Sequence, residues 1–172
     1  MATHVRMAAA LAVCAAAAGG PIALANEQSE QTVIRSRQFT IARGQCPQLG
    51  ADVEIKGLGL ERSITVVEST ADDDKHQQGA ERLTYSFVST ISGTATDNLG
   101  GTYRFSYQLR FKKPARLPGT AIVVDTFKLS GTGAADGMST FFRARVTLDS
   151  GANPIAFEIL EQSGEPFQCD PL

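Results

Sequence analysis

Polar and apolar residues alternate with a period of two along much of this chain. The clearest stretch is residues 103–112, where Tyr103, Phe105, Tyr107, Leu109 and Phe111 interleave with Arg104, Ser106, Gln108, Arg110 and Lys112. An extended strand sends successive side chains to opposite faces, so this pattern predicts a strand with one apolar and one solvated face. Upstream, Leu83, Tyr85, Phe87, Ser89 and Ile91 keep the same phase, with Thr84, Ser86 and Thr90 between them. The residues separating the two runs, Asp97-Asn98-Leu99-Gly100-Gly101, are turn-forming. Odd positions must face odd positions across this hairpin, which requires a loop with an odd number of residues. A three-residue loop with Gly100 or Gly101 in the left-handed region satisfies that parity.

A second hairpin is expected from Ala121–Thr132 and Met138–Leu148 through Ala134-Ala135-Asp136-Gly137. A two-residue turn there pairs odd with even positions. Val123, Asp125, Phe127 and Leu129 then share a face with Phe142, Ala144, Val146 and Leu148, while Thr126, Lys128, Arg143 and Arg145 take the other. Thr32–Ile34, Gln38–Ala42, Ala51–Lys56 and Leu60–Ser69 are further strand candidates, and Ile155–Leu160 follows the Asn153-Pro154 break. Asn26–Gln31 reads as a loose tail and Thr70–Ala80 as a polar loop. Ile91-Ser-Gly-Thr94 recurs as Leu129-Ser-Gly-Thr132, but the apolar phase after each turn differs, so the likeness is one of strand-end chemistry and not a repeat. Seven or eight strands joined mostly by short turns predict a single all-β domain. An antiparallel up-and-down β-barrel is expected, with a β-sandwich as the alternative.

The first 25 residues change the picture of where this domain works. Arg6, the apolar run Met7–Ala18, the Gly19-Gly20-Pro21 break and Ala23-Leu24-Ala25 are the three regions of a cleaved secretory signal peptide in order. Cleavage after Ala25 leaves 147 of the 172 residues, enough for one domain with a sizeable core. The expected destination is the periplasm or the medium. The run is too short and too broken for a membrane span, and no later segment is apolar enough to be one. Cys14 is removed with the leader, because Val13 before it does not suit lipidation. Cys46 and Cys169 then form an even pair, which in an exported protein predicts a disulfide. Two cysteines and one histidine are too few for a structural zinc site, and neither a metal nor another cofactor is expected.

The expected mature chain carries 15 basic against 18 acidic side chains, a balance that does not favour nucleic acid. Arg104, Arg110, Lys112, Lys113 and Arg116, with Lys128, Arg143 and Arg145, form a basic stripe on the solvated faces if the two hairpins adjoin; an ordinary solvated face is the preferred reading. Asp72, Asp73, Asp74 and His76 mark an acidic loop without the spacing of a calcium loop. No nucleophile elbow, zinc-protease helix or phosphate-binding glycine loop is present.

Two candidates for chemistry remain. Asp125 lies on an apolar face between Val123 and Phe127. A buried carboxylate is costly unless paired or protonated. It could therefore be an acid, a base or a ligand contact, though a place near the strand end, reaching water or an arginine, is the preferred reading. Tyr85, Tyr103, Phe105 and Tyr107 could line a pocket with Asp125, against the ordinary alternative of simple core filling. The leading expectation is an exported, non-catalytic binding or interaction module with an extracytoplasmic protein partner. The alternatives are a barrel carrier of a small apolar molecule and a barrel isomerase or cyclase using Asp125.

Overall fold

A computed structural model of the chain describes residues 29–70, 82–113 and 117–172. The expected leader (1–25) with Cys14, the acidic loop around Asp72–His76 and Arg116 lie outside the described residues. Seven strands run in chain order: β1 (Ser29–Ile41), β2 (Ile55–Thr70), β3 (Arg82–Asp97), β4 (Thr102–Lys113), β5 (Gly119–Thr132), β6 (Ser139–Leu148) and β7 (Pro154–Ser163). A short helix, α1 (Pro166–Cys169), follows. The strands form one antiparallel sheet in the order β1-β2-β3-β4-β5-β6-β7. The fold is therefore all-β and up-and-down.

Both parity arguments hold. Asp97 and Gly101 close a three-residue loop, the Asp97 N–H bonding the Gly101 carbonyl at 3.0 Å, with Gly100 at φ 95°. In the second hairpin Asp125 faces Phe142 and Phe127 faces Thr140, as an odd–even register requires. Its loop is longer than two residues, because β5 continues to Thr132 alongside Thr102 of β4 after its pairing with β6 has ended. Several strand limits differ from expectation: the candidates Thr32–Ile34 and Gln38–Ala42 fall in the one strand β1, which ends at Ile41, and Ala51–Lys56 and Leu60–Ser69 contribute to the one strand β2. Ser29–Gln31 belongs to β1, paired with Val67–Thr65, and is not a loose tail. β2 begins only at Ile55, Val53 being held in a turn by the Gly50 carbonyl at 3.0 Å.

The sheet coils back on itself. Phe39 of β1 meets Phe105 of β4 edge-on at 4.9 Å and Phe127 of β5 at 5.5 Å, although two and three strands respectively lie between them along the ladder. Small residues on β2 and β3 permit this. A Cβ on Gly57 would sit 2.1 Å from the Phe39 ring, and one on Gly59 2.6 Å from the Phe105 ring. The rings fill the interior at one end with Ile41, Ile55, Ala95 and Leu129. A second apolar cluster, Phe111, Ala121, Val123, Val146 and Leu148, lies toward the other end, with Phe87, Phe142 and Phe157 only partly buried against it.

Among the described residues β1 and β7 do not pair, so no hydrogen-bonded ladder closes this sheet into a barrel. The C-terminal segment enters the interior beside that seam. Phe167 stacks against Phe142 at 5.3 Å, Leu172 packs on the disulfide-end core, and Cys169 is bonded to Cys46 across a sequence separation of 123 residues. In the chain-entropy model, closing a loop of that size stabilises the fold by about 5 kcal/mol.

Candidate functional site

The inner face is not uniformly apolar. Register places Arg35, Glu61, Ile91, Tyr107, Phe127 and Thr140 in one row across β1–β6. Val33, Ser63, Ser89, Leu109, Asp125 and Phe142 form the next. Between the two apolar clusters these rows make a belt of buried polar groups: Glu61, Ser63, Ser89, Asp125 and Thr140.

Glu61 is the centre of one half. Arg35 gives its carboxylate two hydrogen bonds and Arg37 a third, while the Ser63 and Ser89 hydroxyls donate at 2.8 and 3.0 Å. Burial alone would raise the pKa of this carboxyl. The bonds from Arg35, Arg37, Ser63 and Ser89 outweigh it and hold the pKa at about 2, so the group stays ionised. Both arginine side chains remain 47 % and 42 % exposed along β1, the open edge. Two guanidiniums on one carboxylate leave this half of the belt with one net positive charge.

Asp125 is the centre of the other half, and it does not reach water or an arginine. It is only 6 % exposed and accepts a hydrogen bond from the Tyr107 hydroxyl at 2.9 Å. Asp170, from the segment after α1, hydrogen-bonds it from the side chain. Burial pushes the Asp125 carboxyl up to about 6, while the bonds from Asp170 and Tyr107 pull the other way. Tyr107 is raised by burial and then by the charges of Asp125, Asp170 and Glu61, so it remains a neutral donor. The influence of Glu61 on Tyr107 ties the two halves into one electrostatic unit. Asp125 Oδ1 and Thr140 Oγ1 are buried without a hydrogen-bond partner. A natural protein rarely leaves such atoms empty-handed.

The other candidates from sequence separate. Tyr103 and Phe105 belong to the filled disulfide end, where the Tyr103 hydroxyl donates to Asp97 at 2.5 Å and accepts from the Ala135 N–H at 3.1 Å. Tyr103 thereby fixes two loops. Tyr85 lies at the opposite end, half-buried beneath the Lys113 ammonium at 5.6 Å. Only Tyr107 and Asp125 meet. Glu61, Ser63, Ser89, Arg35, Arg37, Thr140 and Asp170 were missed. A signal for Glu61 exists in Gly57-Leu58-Gly59-Leu60-Glu61: aromatics on β4 need small residues opposite, which turns the glycines and Glu61 inward and the leucines out.

The outer faces of β4, β5 and β6 do adjoin, so Arg104, Arg110, Lys112, Lys128, Arg143 and Arg145 share one surface, with Arg145 bound to Glu158 at 2.7 Å. Among the described residues no three metal-ligating side chains converge, and no helix is long and apolar enough to cross a membrane. Chemically, the belt offers a cationic edge, neutral hydroxyls and a carboxyl able to hold a proton. Comparison of the chain with family models, with curated proteins and with solved structures finds no match.

Proposed function

We propose that the chain is an exported, non-catalytic binding protein whose inner belt receives the polar end of a small amphipathic molecule. The observation that carries this reading is the buried polar belt between two apolar clusters. Burying carboxylates in a core is expensive, and apolar replacements of similar size often serve stability as well or better. A belt kept for binding accounts for that cost. The orphaned Asp125 Oδ1 and Thr140 Oγ1 suit a ligand donor. Phe87, Leu109, Phe142 and Phe157, all inward-facing and only partly buried, suit an apolar tail. The inward-facing Val33 is 43 % exposed on β1, which favours entry along the seam. The Cys46–Cys169 bond agrees with delivery to an oxidising compartment.

Native mass spectrometry of the protein purified from its own exported fraction tests this reading. The expected result is a polypeptide beginning at Asn26 that carries a small organic molecule, released on denaturation and depleted in Leu109→Trp, which narrows the interior. A bare polypeptide that also fails to bind an environment-sensitive apolar dye would overturn it. A second reading, an isomerase or cyclase, is favoured by Asp125 holding a proton beside the Tyr107 hydroxyl. Recovery of the molecule in two isomeric forms, with conversion abolished in Asp125→Asn, would support it over simple carriage.

A further inference from the structure

We propose that the outer face of β4, β5 and β6 docks an acidic polysaccharide, with a groove between Arg104 and Lys128 seating one of its carboxylates.

Register builds the face. Its outward rows are Lys112, Ile122 and Arg145, then Arg110, Val124 and Arg143, then Gln108, Thr126 and Phe141, then Ser106, Lys128 and Ser139. Arg104 and Ser130 make the last row. All six cations are exposed. Successive outward residues of one strand lie about 7 Å apart, and β4 and β6 lie about 10 Å apart across β5. The first two rows therefore set four cations at the corners of a rectangle, with the half-buried Ile122 and Val124 in its middle. No outward position of these three strands carries a carboxylate, and those of β3 from Ser86 to Thr96 are uncharged. The whole chain has 16 basic and 18 acidic side chains, so the face is a segregation of charge and not a general excess. At its margin Glu158 and Glu161 of β7 stand opposite Arg145 and Arg143, and Glu158 pairs with Arg145 at 2.7 Å. The other five cations have no ion-pair partner among the described residues. Cations gathered in this way repel one another, and a bound polyanion relieves that cost.

The groove has a cause in the strand pairing. β5 pairs with β6 only as far as Lys128 and Ser139, but with β4 on to Thr132. Where β6 parts from β5 the surface opens into a groove of about 410 Å³, walled by Arg104, Lys128 and the hydroxyls of Ser106, Ser130 and Ser139. The nearby loop carboxylate, Asp136, is turned to the Gly131 N–H at 2.9 Å.

The side chains select among polyanions. Four of the six cations are arginines, whose planar fork matches a carboxylate with two parallel bonds. The hydroxyls and the Gln108 amide between them donate to and accept from sugar hydroxyls. Duplex DNA carries a charge about every 1.7 Å, whereas here a neutral row parts the cations into two groups about 14 Å apart. A single strand asks for a row of stacking aromatics, and Phe141 is the one outward aromatic on these strands. A bilayer asks for protruding apolar anchors, while Ile122, Val124 and Phe141 are all partly buried.

This face lies on the opposite side of the sheet from the inner belt and stands or falls without it. The experiment measures binding of the disulfide-intact protein to immobilised polygalacturonate. We expect saturable binding that weakens as salt is raised, and none to neutral dextran. Arg110→Ser with Arg143→Ser should weaken it at least about tenfold, and Arg104→Ser with Lys128→Ser by a similar factor. Arg62→Ser, on the exposed outer face of β2, should bind as the wild type does. All these positions are exposed, and near-ultraviolet circular dichroism checks that each variant keeps its packing. No binding to polygalacturonate, binding that survives both double substitutions, or tighter binding to duplex DNA or to phosphatidylglycerol vesicles would each overturn the proposal.

Discussion

Glu61 shows most sharply what a single residue does here. Its carboxylate accepts from two arginines and two serines, so removing it strands two cations and two hydroxyls along β1, β2 and β3. Breaking a buried pair on one side costs about 3–5 kcal/mol, because the partners are left uncompensated. Arg35 and Arg37 are half-exposed and recover part of their solvation, so the lower end applies. Glu61→Ala should lower the unfolding free energy in urea by about 3 kcal/mol with an unchanged m-value, and Arg37→Ala by clearly less. Equal losses in the two variants would mean that Glu61 is not the hub. Asp125 was legible as an oddity because it interrupts an apolar alternation on a strong strand. Its environment was not, since Asp170 comes from a segment 45 positions away that the disulfide brings inside. Glu61 was hidden for a different reason: hydropathy alone reads Leu58 and Leu60 as the buried face of β2, yet both are exposed.

Those leucines point to the element scale, where β2 is positioned by what its neighbours need and not by its own hydrophobicity. Gly57 leaves room for the Phe39 ring, whose atoms would lie 2.1, 2.4 and 2.7 Å from an added Cβ, with no backbone atom among the three nearest. Overpacking of this kind costs about 1–3 kcal/mol. Gly57→Ala should therefore destabilise the protein within that range, and Phe39→Leu should relieve the strain. A double-mutant cycle read by denaturant titration should return a favourable coupling of at least about 1 kcal/mol. Simple additivity would show that the sheet adjusts elsewhere and that the close approach of β1 and β2 is not what sets the coil. The hairpins illustrate the opposite case. Alternation and parity alone placed the inward aromatics of β4 and, on β5 and β6, Val123, Asp125, Phe127 and Leu129 with Phe142, Ala144, Val146 and Leu148, because a slip of one residue would turn each of them to solvent. What pattern could not supply was the partner of β1 and β7, the two strands whose outer edges find no partner among the described residues.

At the scale of the whole molecule the two halves of the belt pull stability in opposite directions with pH. The folded-state pKa of Glu61 is about 2, below its ordinary value of 4.5. Its contribution is thus present above about pH 4.5 and is lost as the pH falls through about 2. Asp125 is the reverse, with a folded-state pKa of about 6 against an ordinary 3.8. Its contribution is complete below 3.8 and is lost as the pH rises through about 6. Each shift corresponds to at most about 3 kcal/mol at 1.36 kcal/mol per unit. The slopes cancel near pH 4, where the unfolded chain still loses protons from Glu61 as fast as it fails to retain them on Asp125. Glu54, Asp97 and Asp149 are also lowered, by Lys56, Tyr103 and Asn153 respectively, and steepen the acid limb. The disulfide-intact protein should therefore be most stable between about pH 4 and 5, below the usual optimum for globular proteins. Urea titrations from pH 2.5 to 8 give the curve. Asp125→Asn should flatten its neutral limb while leaving the acid limb in place, and Glu61→Gln should do the converse. A wild-type protein whose stability is level from pH 5 to 8 would remove Asp125 as the source of the neutral limb, and would leave the raised carboxyl at the centre of this belt without thermodynamic consequence.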